Sequence, residues 1–304
     1  MSKNCEECIN EVSCVELLPN GKTRVKINNA LACMYQCTLP EGNISEILDE
    51  LEQTVRQAAS SKGFPAPDAN AFSNVRGAWF EIILAACAWE FARQQRSRLD
   101  LGIVKMPNMR VFDFTKLLIP ETQQLLKDLE TSLLSQNEPV RLVTSNPDLL
   151  FIVGRGFASD ERFEKPINNL SVENITHLMN SYIHLEGKCR YDSILAGLGL
   201  KTSLRPDRRL QLVHEGNILK SVFNHLRLRY WNPHHAFSYF GATTATIGPA
   251  DLEALETAAT HSILQVTSIP ERAVDMLFSL KTTSDITEVM LPSLLETALE
   301  RFEQ

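Results

Sequence analysis

Three residues in this chain have the types and spacing that phosphodiester chemistry requires. Asp148 precedes an apolar run, Lys201 lies near the end of another, and Glu215 lies about two turns into the helix predicted after it. Converging carboxylates can hold Mg²⁺ through oxygen ligands. A lysine beside them can position a water and offset charge on a pentacoordinate phosphate. Taken singly, each of these residues is a weak signal. Asp148, for example, ends Asn-Pro-Asp, which is a common turn.

The second acid of such a site is not where many nucleases carry it. They place it two residues before the lysine on the same strand, and Gly199 at that position has no side chain that could bind a metal. Glu215 is the available replacement. Glu81 is a further acid, inside an apolar helix, where an unpartnered carboxylate costs several kcal/mol. We therefore expect Glu81 to face a cation or the solvent edge of a cleft, and a salt-bridged core glutamate is its simplest interpretation.

Positive charge is concentrated around the lysine. The whole chain has a formal charge of −7, but residues 187–230 hold nine lysines and arginines against three acids. The overall charge argues mildly against a nucleic-acid partner, and segregation of charge weakens that argument. A charge run alone is typical of a solvated helix face. Arginines clustered at a predicted helix N-terminus, from Arg205 to Arg209, are harder to explain in that way.

Composition predicts one globular domain. The 304 residues are 44% apolar and 22% charged, without a compositional break that would mark a linker, so we expect a single domain over residues 1–304 with residues 1–24 as an N-terminal arm. The first residues contain no apolar signal region, and the longest apolar run, 82–89, is too short to cross a bilayer. A cytoplasmic location is expected.

The seven cysteines are expected to be free thiols in such a protein. Cys5 and Cys8, with Cys14, could be a fragment of a zinc site, but no second pair of ligands completes it.

Hydrophobic periodicity predicts a mixed α/β protein without a glycine-rich phosphate loop. Helices are predicted over 43–62, 75–96, 121–134, 171–185, 206–229, 251–259, 271–280 and 286–302. Strands are predicted over 111–114, 140–144, 149–154, 194–201, 237–246 and 263–266. Residues 24–37 fit either state, and 157–169 are predicted to be a loop.

Two stretches resemble a known family. Ser145-Asn-Pro-Asp148 and Lys201-Thr-x-x-Arg-Pro-Asp-Arg-Arg-Leu-Gln-Leu-x-His-Glu215-Gly resemble the type II restriction endonucleases that cut before a CCGG core, the group that includes NgoMIV and SgrAI. That group is a branch of the PD-(D/E)XK nucleases in which the second acid has moved to a helix. The resemblance covers about residues 75–280 and is strongest over 142–150 and 199–216.

The resemblance implies a fold and a site. The fold would be α/β, with a restriction-endonuclease-like (PD-(D/E)XK) core of mixed sheet flanked by helices. Asp148 and Glu215 would be ligands of Mg²⁺, Lys201 the catalytic lysine, and Glu81 the extra acid of the site. The activity would be that of a type II site-specific deoxyribonuclease in a restriction-modification system, leaving four-base 5′ overhangs with 5′-phosphates.

The charged turn fits the reading of a CCGG palindrome. Arg205 and Arg208 could each bind a guanine through O6 and N7, and Asp207 could accept from cytosine amines. The family resemblance implies the same roles. A palindromic site in double-stranded DNA implies at least a two-fold dimer, and some relatives pair two dimers. The outer base pair stays open among T/CCGGA, A/CCGGT, G/CCGGC and R/CCGGY. Weaker candidates, for phosphate contacts or surface charge, are Arg209, Lys220 and Arg227.

Two other functions share this scaffold. A non-catalytic DNA-binding protein would have no use for carboxylates facing phosphates. A nuclease that cuts by structure, such as a junction resolvase, would not need the Arg-Pro-Asp-Arg turn. The remaining histidines offer no other catalytic group, because His214 lies beside Glu215 and His234-His235 are expected at the surface of a loop.

Overall fold

One five-stranded sheet is the centre of the molecule. The computed structural model describes residues 13–135, 141–232, 235–264 and 270–302. A two-stranded hairpin, β1 and β2, precedes the sheet, which is built from β3 to β7. The strands are β1 Val15–Leu17, β2 Thr23–Val25, β3 Leu101–Lys105, β4 Leu149–Val153, β5 Ile194–Lys201, β6 Ser238–Thr243 and β7 Met276–Ser279.

The sheet is mixed, as predicted. Its spatial order is β3-β4-β5-β6-β7, with β4 antiparallel to both neighbours and β5, β6 and β7 parallel to one another. Because β4 runs against β5, the start of β4 lies beside the end of β5, and Leu149 pairs with Leu198. The sheet topology therefore brings the residue before β4 close to Lys201.

Nine α-helices surround the sheet in the described part of the chain. They are α1 Ile27–Tyr35, α2 Ile44–Ser61, α3 Ala69–Gln95, α4 Pro120–Leu134, α5 Glu161–Glu164, α6 Val172–Asn180, α7 Pro206–Arg229, α8 Pro249–Leu255 and α9 Leu291–Phe302. Helix α7 is the crossover between the parallel strands β5 and β6, the usual connection for such a pair. Its first turn therefore follows directly from the end of β5. None of the described helices has both the length and the apolar character that crossing a membrane requires.

Helix α3 is central and buried, as its sequence predicts. Trp79, Phe80 and Trp89 are almost fully enclosed. The two indole N–H groups donate to backbone carbonyls, Trp79 to Ile27 at 3.2 Å and Trp89 to Lys165 at 2.9 Å. The helix begins earlier than predicted because the side chain of Asp68 accepts a hydrogen bond from the Ala71 N–H at 2.8 Å and caps it.

The long periodic segments were predicted well. Helices α2, α4 and α7 and strands β4, β5 and β6 lie within a few residues of their predicted bounds. The predicted helix over 171–185 is α6 followed by a 3₁₀ turn, and the one over 286–302 is a π-helical turn followed by α9. The predicted loop 157–169 contains a 3₁₀ turn and α5, and helix α1 occupies part of the undecided stretch.

Two predicted strands near the site are wrong. Residues 111–114 form a turn leading into a 3₁₀ helix, because the Asn146 amide binds the backbone there instead of a neighbouring strand. Asn146 accepts from the Phe114 N–H at 2.8 Å and donates to the Phe112 carbonyl at 2.6 Å. Residues 141–144 belong to no strand, and residue 140 lies outside the described residues. The edge strand that pairs with β4, β3, was not predicted.

The predicted helix over 271–280 is also wrong. Residues 276–279 form β7, which pairs with β6 in the register Phe240 to Met276. Pairing with an open sheet edge overrides the weak local helix preference of this stretch. Residues 262–264 form a 3₁₀ turn where a strand was predicted over 263–266, and 265–266 lie outside the described residues. Helix α8 also ends four residues before the predicted end at 259.

Two segments expected at the surface are ordered parts of the molecule. Residues 15–24 of the predicted arm, together with Val25, form the β1–β2 hairpin, with Cys14 and Val15 buried. His235 is 2% exposed, and burial lowers its pKa to about 4. It packs edge-on against the Tyr191 ring, with ring centroids 5.3 Å apart. His234 and the two cysteines of the possible zinc fragment, Cys5 and Cys8, lie outside the described residues.

Candidate active site

Asp148 is held between three strands. Its backbone N–H donates to the Leu198 carbonyl at 2.9 Å, and its carbonyl accepts from the Met106 N–H at 2.9 Å. One carboxylate oxygen, Oδ2, accepts from the Leu200 N–H at 2.6 Å. The carboxyl group is therefore fixed beside the end of β5, one residue from Lys201.

Lys201 and Glu215 meet across the β5–α7 connection. Lys201 Nζ lies 3.5 Å from Glu215 Oε1, and their side chains are 13% and 21% exposed. Glu215 lies about two and a half turns into α7, on the side that faces the sheet. The structure thus brings together the lysine and the acid that the sequence placed fourteen residues apart.

Glu81 reaches the same place from helix α3. Its Oε2 accepts from Lys105 Nζ at 2.8 Å, so the expectation that this acid faces a cation is confirmed. Lys105 ends β3 and was not singled out as a site residue from sequence. Its strand was not predicted, and only the topology shows which acid it pairs with.

Two cavities meet at these acids. The larger, of about 870 Å³, is lined by Glu81, Asp148 and Lys201 together with Arg205 and Arg208 of the charged turn. Its opposite wall comes from α2 and the start of α3. The smaller, of about 300 Å³, is lined by Glu81, Lys105, Asp148 and Glu215. A polar substrate could therefore contact the carboxylates, the lysine and the turn within one cleft.

Three carboxylates and two lysines meet where the two cavities join. Burial of the carboxyl group raises the pKa of Asp148 to about 7, and the charges of Glu81 and Glu215 act in the same direction. Lys201 and the Leu200 N–H act in the opposite direction. A cation placed among the carboxylates would offset this repulsion.

The donor set fits Mg²⁺ held jointly with a substrate. Among the described residues, no group of three His, Cys, Asp or Glu side chains lies close enough to hold an ion alone. Mg²⁺ is usually bound by one or two carboxylates, with water and substrate phosphates completing its shell. Asp148 and Glu215 supply two carboxylates of that kind.

The charged turn is exposed and lies next to this cleft. The side chains of Arg205, Asp207 and Arg208 are 66%, 59% and 42% exposed. Asp207 lies 3.7 Å from Arg205 Nε and 3.6 Å from Arg208 Nε, which are loose contacts. Pro206 opens α7, so the turn projects from a rigid helix end. These three side chains are accessible to a partner, although Arg208 Nη1 also donates to Gln211 Oε1 at 3.1 Å.

The three weaker candidates for phosphate contacts, Arg209, Lys220 and Arg227, differ in their burial and in their partners. Lys220 is not a phosphate contact, because it is 1% exposed and its Nζ lies 2.7 Å from Asp275 Oδ1, which is equally buried. Arg209 is engaged within the protein, with Nη1 3.0 Å from both Asp251 Oδ1 and the Ala250 carbonyl. Arg227 is half-buried and donates to Asn224.

Comparison with known proteins identifies the family. Residues 9–296 match the Cfr10I/Bse634I restriction endonuclease family. The chain belongs to this family. The type II restriction enzyme Cfr10I of Citrobacter freundii is 33% identical over 268 residues, which cover 86% of this chain and 92% of that protein.

Solved structures of Bse634I agree with this assignment. Two of them, one described as the type IIF enzyme with cognate DNA, match with a TM-score of 0.88 and 47% identity, covering 96% of this chain and 99% of theirs. Membership in the Cfr10I/Bse634I family makes the chain a restriction endonuclease and confirms the predicted fold. The comparisons name Cfr10I and Bse634I, and they do not support the narrower assignment to the NgoMIV and SgrAI group.

Proposed function

We propose that this protein is a Mg²⁺-dependent type II endonuclease that cuts double-stranded DNA before a palindromic CCGG core. The observation that carries the proposal is the convergence of Asp148, Lys201 and Glu215 on one cleft, beside an exposed Arg-Asp-Arg turn. Bse634I, with 47% identity, is described in complex with cognate DNA, which supports DNA as the partner.

Each residue has a role set by its position. Asp148 and Glu215 would hold the Mg²⁺, which when bound supplies charge stabilisation at the phosphate and lowers the pKa of water. Lys201, 3.5 Å from Glu215, would donate to the attacking water or to a phosphate oxygen. Glu81, held by Lys105 at 2.8 Å, would be the extra acid at the rim. Cleavage before the first cytosine leaves a four-base 5′ overhang and a 5′-phosphate.

Base reading is assigned to the turn. Arg205 and Arg208 would each bind one guanine edge in the major groove, and Asp207 would accept from cytosine amines. Because the contacts among these three side chains are loose, replacing them with contacts to bases should cost little free energy. Half a palindrome needs one such turn, so the proposal includes a two-fold dimer, which could pair into a tetramer.

A non-catalytic DNA-binding protein is the alternative on the same fold. It would use the exposed turn but would gain nothing from the carboxylates and lysine in the cleft. Burial and the charges of Glu81 and Glu215 raise the pKa of Asp148, so keeping this carboxylate ionised costs free energy without a bound cation. Such an arrangement favours the endonuclease.

Replacing Arg208 is expected to change specificity at one base pair. Arg208→Ala should lower the discrimination against substitutions at a single guanine position by about 1–3 kcal/mol, because one bidentate contact is lost. The measurement is the equilibrium binding, with Ca²⁺, of a set of duplexes that differ from CCGG at one base pair.

Arg229→Ala is the matched control, since Arg229 is an exposed arginine at the opposite end of α7. It should leave the discrimination profile unchanged. An equal loss of affinity on all duplexes for Arg208→Ala would assign this arginine to a phosphate and contradict its role in base reading.

A further inference from the structure

Strand β5 has no room for a side chain at the position where many related nucleases carry their second acid. A Cβ built on Gly199 would overlap the Tyr239 hydroxyl oxygen and lie 2.9 Å from Leu212 Cδ2. The phenol of Tyr239 therefore occupies the space that a side chain at position 199 would fill. A side chain at position 199 would have to displace this phenol and the Leu212 side chain.

The same hydroxyl binds Glu215, the acid that stands in for a strand acid at position 199. Tyr239 Oη donates to Glu215 Oε2 at 2.6 Å, and the tyrosine is fully buried. The other oxygen, Oε1, faces Lys201 Nζ at 3.5 Å. One carboxylate oxygen is thus held by the phenol and the other is directed toward the site.

Tyr239 is itself held firmly. Its backbone N–H donates to Asp275 Oδ2 at 2.8 Å, and its carbonyl accepts from the Asp275 N–H at 2.7 Å. Asp275 is the buried partner of Lys220, so the pair anchors the strand that carries the tyrosine. The buried ion pair therefore holds the backbone of Tyr239 in place, away from solvent.

Helix α7 packs close enough to the sheet to bring Glu215 to the phenol because the residue after Glu215, Gly216, is also a glycine. A Cβ on Gly216 would overlap the Ala273 carbonyl oxygen and lie 2.8 Å from Tyr239 Cδ1. Any larger residue would push the helix from the sheet and Glu215 from the phenol. The two glycines and the tyrosine form one packing unit around the carboxylate.

We propose that Tyr239 is a positioning residue for the second metal-binding carboxylate. Its hydroxyl takes the place of a side chain at position 199 and orients Glu215, so that an acid on a helix serves in place of an acid on the strand. The inference rests on the proposed function, specifically on Glu215 as a metal ligand. Tyr239 touches no substrate and acts only through Glu215.

Tyr239→Phe keeps the ring and removes the donor. We expect the dissociation constant for Ca²⁺, measured by calorimetry on the protein bound to a CCGG duplex, to rise about tenfold, because a hydrogen bond to a charged group is lost. The Mg²⁺ concentration for half-maximal cleavage should rise in parallel, with most of the rate recovered at saturating Mg²⁺. Tyr182→Phe, at a buried tyrosine that packs on Phe112, is the matched control.

A double-mutant cycle separates positioning from a general structural effect. Gly199→Ala should displace the hydroxyl and weaken Ca²⁺ binding, but it should add less than its full effect in a Tyr239→Phe background, where the overlapping oxygen is gone and the approach to Leu212 Cδ2 remains. Unchanged Ca²⁺ affinity in Tyr239→Phe, or effects of the two substitutions that simply add, would overturn the inference.

Glu215→Ala distinguishes failure of the inference from failure of the proposed function. If Glu215→Ala weakens Ca²⁺ binding and Tyr239→Phe does not, only the role of Tyr239 is refuted. If Glu215→Ala leaves Ca²⁺ binding unchanged, Glu215 is not a metal ligand, and both the proposed metal site and the inference fall.

Discussion

Lys201→Ala is expected to abolish DNA cleavage, a loss of at least about a hundredfold in rate, and to leave Ca²⁺-supported binding of a specific duplex intact. Lys201 lies 3.5 Å from Glu215 in the cleft that also contains Asp148. Its ammonium group would act on charge that develops only in the transition state, so its removal should affect the rate far more than the affinity. Single-turnover cleavage and equilibrium binding on one duplex measure the two effects.

Lys127→Ala provides the control, because Lys127 is an exposed lysine on α4, distant from the cleft. Thermal melting of both variants establishes that the fold is kept. Cleavage by Lys201→Ala at the wild-type rate would remove the lysine from the mechanism. Equal losses in cleavage and in binding would make it a binding residue instead.

Lys220→Ala is expected to destabilise the protein by about 3–5 kcal/mol, because it would leave a buried carboxylate without its ion-pair partner. Lys220 and Asp275 are each 1% exposed and lie 2.7 Å apart, and Lys220 also donates to the Arg272 carbonyl at 2.6 Å. Because Asp275 anchors the backbone of Tyr239, the loss should also loosen the site. Urea unfolding followed by circular dichroism gives the change in unfolding free energy.

Arg229→Ala again serves as the comparison, since an exposed cation on the same helix should change stability by less than about 0.5 kcal/mol. Lys220 would be a phosphate contact, as its sequence context suggested, if its replacement left stability unchanged and reduced the salt dependence of DNA binding.

Local sequence carries enough information for elements whose side chains have a strong period. Helices α2 and α4 show such periods, strands β4 and β5 are continuous apolar runs, and the bounds of all four were predicted closely. The segment that became β7 is short, and its state depends on the free edge of β6, which lies more than thirty residues earlier. The strand predicted over 111–114 was wrong for a similar reason, because the Asn146 side chain binds this backbone in place of a partner strand.

The same distinction applies to the site. Asp148, Lys201, Glu215 and the exposed turn could be found from residue types, spacing and family resemblance. Tyr239 could not, because an aromatic residue in an apolar strand is typical of a core, and only the parallel pairing of β5 and β6 brings it beside Gly199.

Lys220 shows the opposite error. Its partner is 55 residues away in sequence, so a buried cation had the sequence appearance of a surface charge. Contacts between distant segments decide whether a charged side chain in a helix is structural or functional. The residues near the site that local sequence did not identify are those whose partners come from a distant segment of the chain.

Sequencing the ends left on a long DNA of known sequence, digested with the protein and Mg²⁺, would show directly whether the protein cuts before CCGG. We expect discrete fragments whose 5′-phosphorylated ends begin with CCGG, and the base before each cut would identify the outer pair. Discrete ends at an unrelated sequence would contradict the assignment of the Arg-Asp-Arg turn. Specific binding of CCGG duplexes without any cutting would contradict the assignment of the catalytic residues.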